Sequence, residues 1–353
     1  MDRDSLVSLP SALAHFDALP SAQQPPNGAK ARYLLGIDGG ATKTLAAVLD
    51  LEQATLHLGH GGPSNQDAVG VSPAGQALFG AADEALSRAG IDDGDLDGAV
   101  LAVAGTDTDA VVAHVHAQRS EDWLVVGDVV GAWATATGAR PGVGVISGTG
   151  SNVFGVGRSG QGWRAGGWGH LLGDEGSGYW FGLQSIKAAL RDREASGPRT
   201  ALSDAAVEFF EIASVEALAV SVYSKPLTKS EIAAFATEAA RLADGGDAVA
   251  LSIYEAGARE LTQQIAAVIH QTGLEGEFPV GLIGSAYKAG AVFVDPLTQM
   301  VHEHAPAAHI VVAEMAPVGG SLLLAARACG AEGALAQLDL EALLDAALAE
   351  PVG

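Results

Sequence analysis

Apolar positions in this chain come in short runs that glycine and polar residues interrupt. Tyr33-Leu34-Leu35-Gly36-Ile37 is one such run; it stops at Asp38-Gly39-Gly40-Ala41-Thr42-Lys43, and Thr44-Leu45-Ala46-Ala47-Val48-Leu49 resumes it. That pattern predicts strand, glycine-rich turn, strand. It recurs about one domain later as Gly142 to Ser147, then Gly148-Thr149-Gly150-Ser151, then Asn152 to Val156, which indicates an internal duplication of architecture. Between the hairpins a helix is predicted with Ser72 as N-cap, Pro73 at its first position, Leu78, Ala82, Ala85 and Leu86 on one face, and Gly90 at its end. Ala99 to Val103 and Trp123 to Val126 read as parallel strands, each ending in glycine and polar residues where such a strand presents a site.

The second half is mainly helical. Thr228-Lys229-Ser230-Glu231 is a capping box leading into Ile232, Phe235, Ala236 and Ala239, and a longer helix runs through Leu251, Tyr254, Ala258, Leu261, Ile265 and Ile269. A buried strand returns at Pro279 to Ile283, with a helix expected from Ala286 onward. The simplest architecture is two α/β lobes, each opening with a β-hairpin and joined near Gly138 to Pro141. Residues 1–31, rich in proline and polar residues, read as a flexible tail; with no basic start before an apolar run, and with Asp2, Asp4 and Asp17, they do not suit a targeting peptide.

At 353 residues the chain is long enough for two domains. No apolar run reaches the length of a membrane helix, so no membrane partner is expected. The net charge of −23 repels phosphate backbones and anionic membrane surfaces, which argues against nucleic acid as a partner. One cysteine, Cys329, excludes an intrachain disulfide framework and a thiolate zinc or iron–sulfur site within one subunit, and fits a reducing cytoplasm.

Both glycine turns carry Thr or Ser beside the glycines, so each can offer backbone N–H groups and a hydroxyl to a phosphate. The first adds Lys43 and, at the strand end, Asp38, whose carboxylate can hold Mg²⁺ or its water. Neither the P-loop spacing nor the dinucleotide fingerprint is present. Two tryptophans, a histidine and two adjacent acids stand among the glycines of Gly166 to Trp180, a combination common on surfaces that recognise small polar ligands such as sugars. The spacings of His302, His304 and His309, and of His114 and His116, arise from ordinary strand or loop alternation as readily as from a metal site. Glu175 is read as support for its loop, and Cys329 as a buried thiol.

These residues resemble the sugar-kinase branch of the BadF/BadG/BcrA/BcrD ATPase group, within the actin, hexokinase and Hsp70 superfamily. The resemblance runs from about Tyr33 to about Arg327 and is carried by Asp38 to Thr44, Gly62-Pro-Ser-Asn65, Ala104-Gly-Thr-Asp107, Gly127 to Ala132, Ser147 to Asn152, Gly166 to Ser177 and Gly284-Ser-Ala-Tyr-Lys288. It implies two ribonuclease-H-like, actin-like ATPase lobes around a central cleft: residues 32–137, to which 317–353 return through Pro317-Val-Gly-Gly-Ser321, and residues 138–316. It also implies ATP and Mg²⁺ as cofactors, an amino sugar as substrate, a homodimer and a cytoplasmic enzyme.

By the same resemblance Asp128 is the base that takes the sugar hydroxyl proton, and Asp38 holds Mg²⁺ through water. Asn65, Gly105, Thr106, Asp128, Gly150, Ser151, Asn152, Trp168, Gly169, His170 and Asp174 contact the sugar. ATP is contacted by Gly39, Gly40, Ala41, Thr42, Lys43, Thr44, Gly148 and Thr149, with Gly284, Ser285 and Lys288 at the adenosine. Ala41 stands where many relatives have a third glycine.

The expected reaction is transfer of the ATP γ-phosphate to the 6-hydroxyl of N-acetylglucosamine, with glucosamine or N-acetylmuramic acid as alternatives. Three other readings lose ground. A dehydratase activator needs cysteines for a bridging iron–sulfur cluster, a zinc-containing sugar kinase of the repressor-related group needs a cysteine cluster, and a sugar-sensing regulator needs a basic helix-turn-helix segment absent from this acidic chain.

Overall fold

The computed structural model describes residues 31–105, 108–224 and 227–350. All but Ala31 of the predicted tail, and Thr106 and Asp107, lie outside the described residues. The strands are β1 (Tyr33–Gly39), β2 (Thr44–Asp50), β3 (Thr55–Gly61), β4 (Leu96–Val103), β5 (Trp123–Gly127), β6 (Gly142–Ser147), β7 (Ser151–Val156), β8 (Gly162–Gly166), β9 (Phe278–Ile283) and β10 (Ala308–Val312). The helices that position the site are α1 (Gln66–Val69), α2 (Val71–Ala89), α3 (Thr108–Gln118), α4 (Asp128–Thr137), α5 (Gly178–Arg193), α6 (Lys229–Ala234), α7 (Ala236–Asp244), α8 (Ala248–Thr272), α9 (Ala291–His304) and α10 (Val318–Ala328).

The chain divides into two compact units. One runs to Pro141, takes in Ser159–Gly162 and resumes at Ala313; the other holds Gly142–Arg158 and Trp163–Val312. Each is built on a five-stranded sheet, in the orders β3-β2-β1-β4-β5 and β10-β9-β6-β7-β8. In the first, β1 pairs antiparallel with β2 and parallel with β4; in the second, β6 pairs antiparallel with β7 and parallel with β9. The second sheet thus repeats the hairpin-then-parallel plan of the first.

In the first unit the alternating side chains of β1, β2, β4 and β5 fill two faces. Leu35, Ile37, Val48 and Leu101 pack with Leu78, Ala82 and Ala85 of α2 and with Val111 and Val115 of α3. The approach of α2 is so close that a Cβ on Gly59 of β3 would lie 2.0 Å from Ala81 O, which only glycine accommodates. Helix α10 is tied to β1 by Ser321 Oγ donating to Ile37 O (2.7 Å). In the second unit the core joins β6, β7 and β9 to α5, α7, α8 and α9, with Phe181 stacked on Tyr254 at 4.3 Å and edge-on to Phe293.

Several local expectations are revised. Helix α2 starts at Val71 with Gly70 as N-cap rather than Ser72, because Gly70 at φ +85° turns the chain directly out of α1; Pro73 then sits in the first turn, where its missing N–H costs nothing. The capping box forms, but the helix it starts stops after one and a half turns, and Phe235 separates α6 from α7. The helix expected from Ala286 is a 3₁₀ turn, Ser285–Ala289, followed by Gly290 and only then α9. Three strands not anticipated, β3, β8 and β10, lie at or next to sheet edges. His302 Nε2 is 3.0 Å from Ala308 O, His116 Nε2 is 3.2 Å from Trp123 O, and His114 stacks on Phe79; no group of three or more metal-ligating side chains occurs among the described residues. Burial pushes the Cys329 thiol up to about 11. Among the described residues no helix is long and apolar enough to cross a membrane.

Candidate active site

In the first unit the chemistry gathers where parallel strands end. Asp38 is the next-to-last residue of β1, Gly39 pairs with Val103 of β4, Val103 pairs with Gly127 of β5, and Asp128 follows as the first residue of α4. Gly127 serves as the N-cap of α4 without a side-chain hydrogen bond, so Asp128 is not the cap; it lies in the first turn, where the helix dipole favours an anion. The Asp38 carboxyl is pushed up to about 6, first by burial and then by the charge of Asp128, while Lys43 pulls it down.

The turn after Asp38 is braced from outside itself. Gly40 N donates to Lys43 O (3.0 Å), Ser64 N donates to Gly40 O (3.0 Å), and Ala104 N donates to Gly39 O (2.8 Å). Thr44 is buried, its Oγ1 2.8 Å from both Gly62 O and Ser64 Oγ, so its hydroxyl ties the end of the turn to the Gly62–Ser64 segment. Ala41, Thr42 and Lys43 are exposed, and Ala41 is not among the residues with positive φ, so alanine is unstrained at this position of the turn. Asn65 caps α1, Oδ1 accepting from Asp67 N at 2.9 Å. The neighbouring Gln66 presses its amide against Gly105, and Gln66 Oε1 is buried without a partner. Thr106 lies outside the described residues.

The second unit carries the other turn. Gly148 N donates to Gly150 O (2.9 Å), and the start of α5 docks on it, Gly178 N donating to Gly148 O at 2.7 Å. Ser147 and Ser151, flanking the turn, donate their hydroxyls to Gly176 O (2.6 Å) and Glu175 O (2.7 Å). These bonds, to the main-chain carbonyls of Glu175 and Gly176, stitch the Asp174 to Ser177 segment to the hairpin. Asp174 is 3% exposed and takes φ +60°, a left-handed conformation that costs a non-glycine residue of order 1 kcal/mol or more. Its Oδ1 accepts from Ser151 N at 3.2 Å and its Oδ2 from Lys229 Nζ at 2.6 Å.

Asn152 follows on β7, its amide packed against Gly167 and its Oδ1 buried without a partner; Gln264 of α8 does the same beside Gly166. Trp168 is 64% exposed with the Arg164 guanidinium 5.3 Å from its ring centre, Gly169 is at φ +79°, and His170 is exposed and edge-on to Tyr179. Trp180 belongs to α5 and packs on Phe181 rather than joining Trp168. Thr149, Ser285 and Lys288 are exposed, and Gly284 N-caps the 3₁₀ turn after β9. Sequence reasoning missed Ser64, Gln66, Gln264 and Lys229. Only the last had a local signal, the capping box, and that box speaks of helix initiation rather than of chemistry.

A sheet plan used twice, each time with a glycine turn between the two strands of its antiparallel hairpin and a parallel strand on the hairpin's other side, defines the actin-like ATPase fold. The pattern of the BadF/BadG/BcrA/BcrD ATPase family matches residues 35–325, and the chain belongs to that family. It is similar to the N-acetylmuramic acid/N-acetylglucosamine kinase of Clostridium acetobutylicum, 32% identical over 251 residues, 70% of this chain and 82% of that one. It is also similar to the N-acetyl-D-glucosamine kinase of Dictyostelium discoideum, 30% identical over 312 residues, 82% and 97% of the two chains. Among solved structures, a candidate N-acetylglucosamine kinase from Chromobacterium violaceum superposes with a TM-score of 0.67 at 23% identity, covering 83% of this chain and 99% of that one.

Proposed function

We propose that this chain is an ATP-dependent amino-sugar kinase that transfers the γ-phosphate of ATP to the 6-hydroxyl of N-acetylglucosamine, giving N-acetylglucosamine 6-phosphate and ADP. The observation that carries the reading is the stitching of the Asp174 segment to the second glycine hairpin, which sets the acceptors Asp174 and Asn152 beside the Gly148–Gly150 turn. Two relatives named as kinases of such sugars support it.

In this reading the sugar O6 attacks the γ-phosphorus, the bond to the β–γ bridging oxygen breaks, and the O6 proton passes to the Asp128 carboxylate. Backbone N–H groups of the turns at Gly39 to Lys43 and Gly148 to Gly150 receive phosphate oxygens, with the Lys43 ammonium beside the first. Asn65, Asn152 and Asp174 hold sugar hydroxyls, and Trp168 offers a ring face. Two carboxyls that repel each other, one of them raised by burial, make a place that favours a hard cation, so Asp38 fits Mg²⁺ held through water. When bound, the ion supplies neutralisation of phosphate charge. A cytoplasmic homodimer completes the proposal.

The test is ADP release from Mg-ATP with N-acetylglucosamine, N-acetylmuramic acid, glucosamine and glucose. N-acetylmuramic acid stays a second reading because the Clostridium relative is named for both N-acetylated sugars. Faster kcat/KM with glucosamine overturns the specificity alone. No ADP release with any sugar overturns the kinase.

A further inference from the structure

Asp174 is held by two elements far apart in sequence. Ser151 N of the second hairpin binds Oδ1, and Lys229 Nζ, 55 residues away at the start of α6, binds Oδ2. The lysine's backbone is set independently of this contact. Thr228 Oγ1 accepts from Glu231 N at 3.2 Å, and Glu231 Oε2 accepts from Thr228 N at 2.7 Å, closing the capping box around Lys229. A cation in the first turn of a helix opposes the helix dipole, so helix formation alone gives no reason for lysine there.

The ammonium also lies over the hairpin: a Cβ on Gly150 would stand 3.1 Å from Lys229 Nζ and 3.1 Å from Asp174 Oδ1. The Asp174 side chain is 4% exposed and that of Lys229 34%, so the pair has a buried anion and a cation that reaches it from the surface. A carboxylate has about four lone-pair directions. Lys229 and Ser151 take two of these on Asp174, leaving acceptor capacity on both oxygens, and the neighbouring Asn152 Oδ1 has no partner at all. The cluster therefore keeps unfilled acceptor positions on Asp174 and Asn152, which the hydroxyls of a polyhydroxylated ligand can fill.

We propose that Lys229 is a positioning residue for the sugar, acting through Asp174: its ammonium fixes the rotamer of the carboxylate, so that the remaining lone pairs of Asp174 accept sugar hydroxyls. This rests on the amino-sugar kinase reading. The ion pair distinguishes the second hairpin from the first, whose Lys43 is part of the turn itself.

The experiment compares K229M, K229R, D174N and the K229M/D174N double variant by calorimetric titration with N-acetylglucosamine and, separately, with ADP, alongside steady-state kinetics and thermal midpoints. In K229M the sugar Kd and KM rise about 10- to 100-fold, the range for losing a charge-assisted hydrogen bond to a buried partner, while kcat changes less than about fivefold and the ADP Kd less than about threefold. K229R retains most of the sugar affinity, and K229M adds less than about twofold to the effect of D174N, because both remove one interaction. If K229M loses its wild-type midpoint, K229Q, one bond shorter but with a polar donor and no charge, takes its place and weakens sugar binding in the same direction.

Wild-type sugar affinity in a folded K229M or K229Q, a loss confined to ADP, or multiplying effects of K229M and D174N each overturn the proposal. Wild-type protein that binds and phosphorylates no sugar overturns the kinase reading and this inference together. Active wild type with an indifferent Lys229 overturns the inference alone.

Discussion

The charge of Asp128 disfavours ionisation of Asp38. Burial is the larger cause, and together the two push the Asp38 carboxyl up to about 6 against an ordinary 3.8, with Lys43 opposing. The two residues meet because β1, β4 and β5 are parallel and in register, so that a strand end and a helix start 90 positions later fall at the same edge of the sheet.

The first prediction is a pH dependence of stability. The folded-state value of Asp38 is raised, so its protonated form contributes stability that is fully present below the unfolded value of 3.8 and is lost as pH rises through about 6. Asp38→Asn removes the cost of ionisation. The variant is therefore more stable than wild type above about pH 6, by up to about 2–3 kcal/mol, and the advantage vanishes toward pH 4. Thermal unfolding across a pH series checks this, and a difference that does not vary with pH contradicts it.

Asp128→Asn separates base from scaffold. Asp128 is not the α4 cap, so asparagine costs no cap and gives up a favourable charge in the first helical turn, about 0.3–1 kcal/mol. If Asp128 takes the hydroxyl proton, kcat falls by about 10² to 10⁴ while KM for sugar and ATP moves much less. A kcat within about threefold of wild type, against the usual general-base contribution, removes it from catalysis. The same variant lowers the Asp38 value only part of the way, since burial remains; carboxyl NMR titration reads that shift.

Asn152→Ala tests the unpartnered amide oxygen. Its Oδ1 makes no hydrogen bond, so its removal leaves the ligand-free thermal midpoint close to wild type. Saturating N-acetylglucosamine at about a hundred times its Kd stabilises wild type by about 2.7 kcal/mol, and the variant at the same concentration gains at least about 1 kcal/mol less. An equal thermal shift in both proteins rules Asn152 out as a sugar contact.

Gly182→Ala acts at a distance. A Cβ at Gly182 of α5 would lie 1.9 Å from Ile232 O of α6, so α6, which carries Lys229, must move. Overpacking of this kind costs about 1–3 kcal/mol. The variant shows a lowered thermal midpoint together with weaker sugar binding, and weaker binding absent from an otherwise destabilised variant shows that the α6 position does not matter to the ligand.

The two hairpins, the parallel strands β4 and β5, the capping box at Thr228 and the long α8 were legible in the sequence, because each is written in neighbouring residues as a period of two, a period of 3.6 or a glycine turn. Composition also set the balance of charge and the shortage of cysteine. The start of α2 was misplaced because Gly70 can bend where Ser72 could only cap, and that choice depends on how α1 enters. Strands β3, β8 and β10 carry glycine, histidine or little alternation and exist because a neighbour supplies hydrogen bonds. The coupling of Asp38 to Asp128, the anchoring of Asp174 by Lys229, and the unpartnered amide oxygens of Gln66, Asn152 and Gln264 had no local sign. Burial and charge act through space between residues tens of positions apart, and only the folded chain sets those distances.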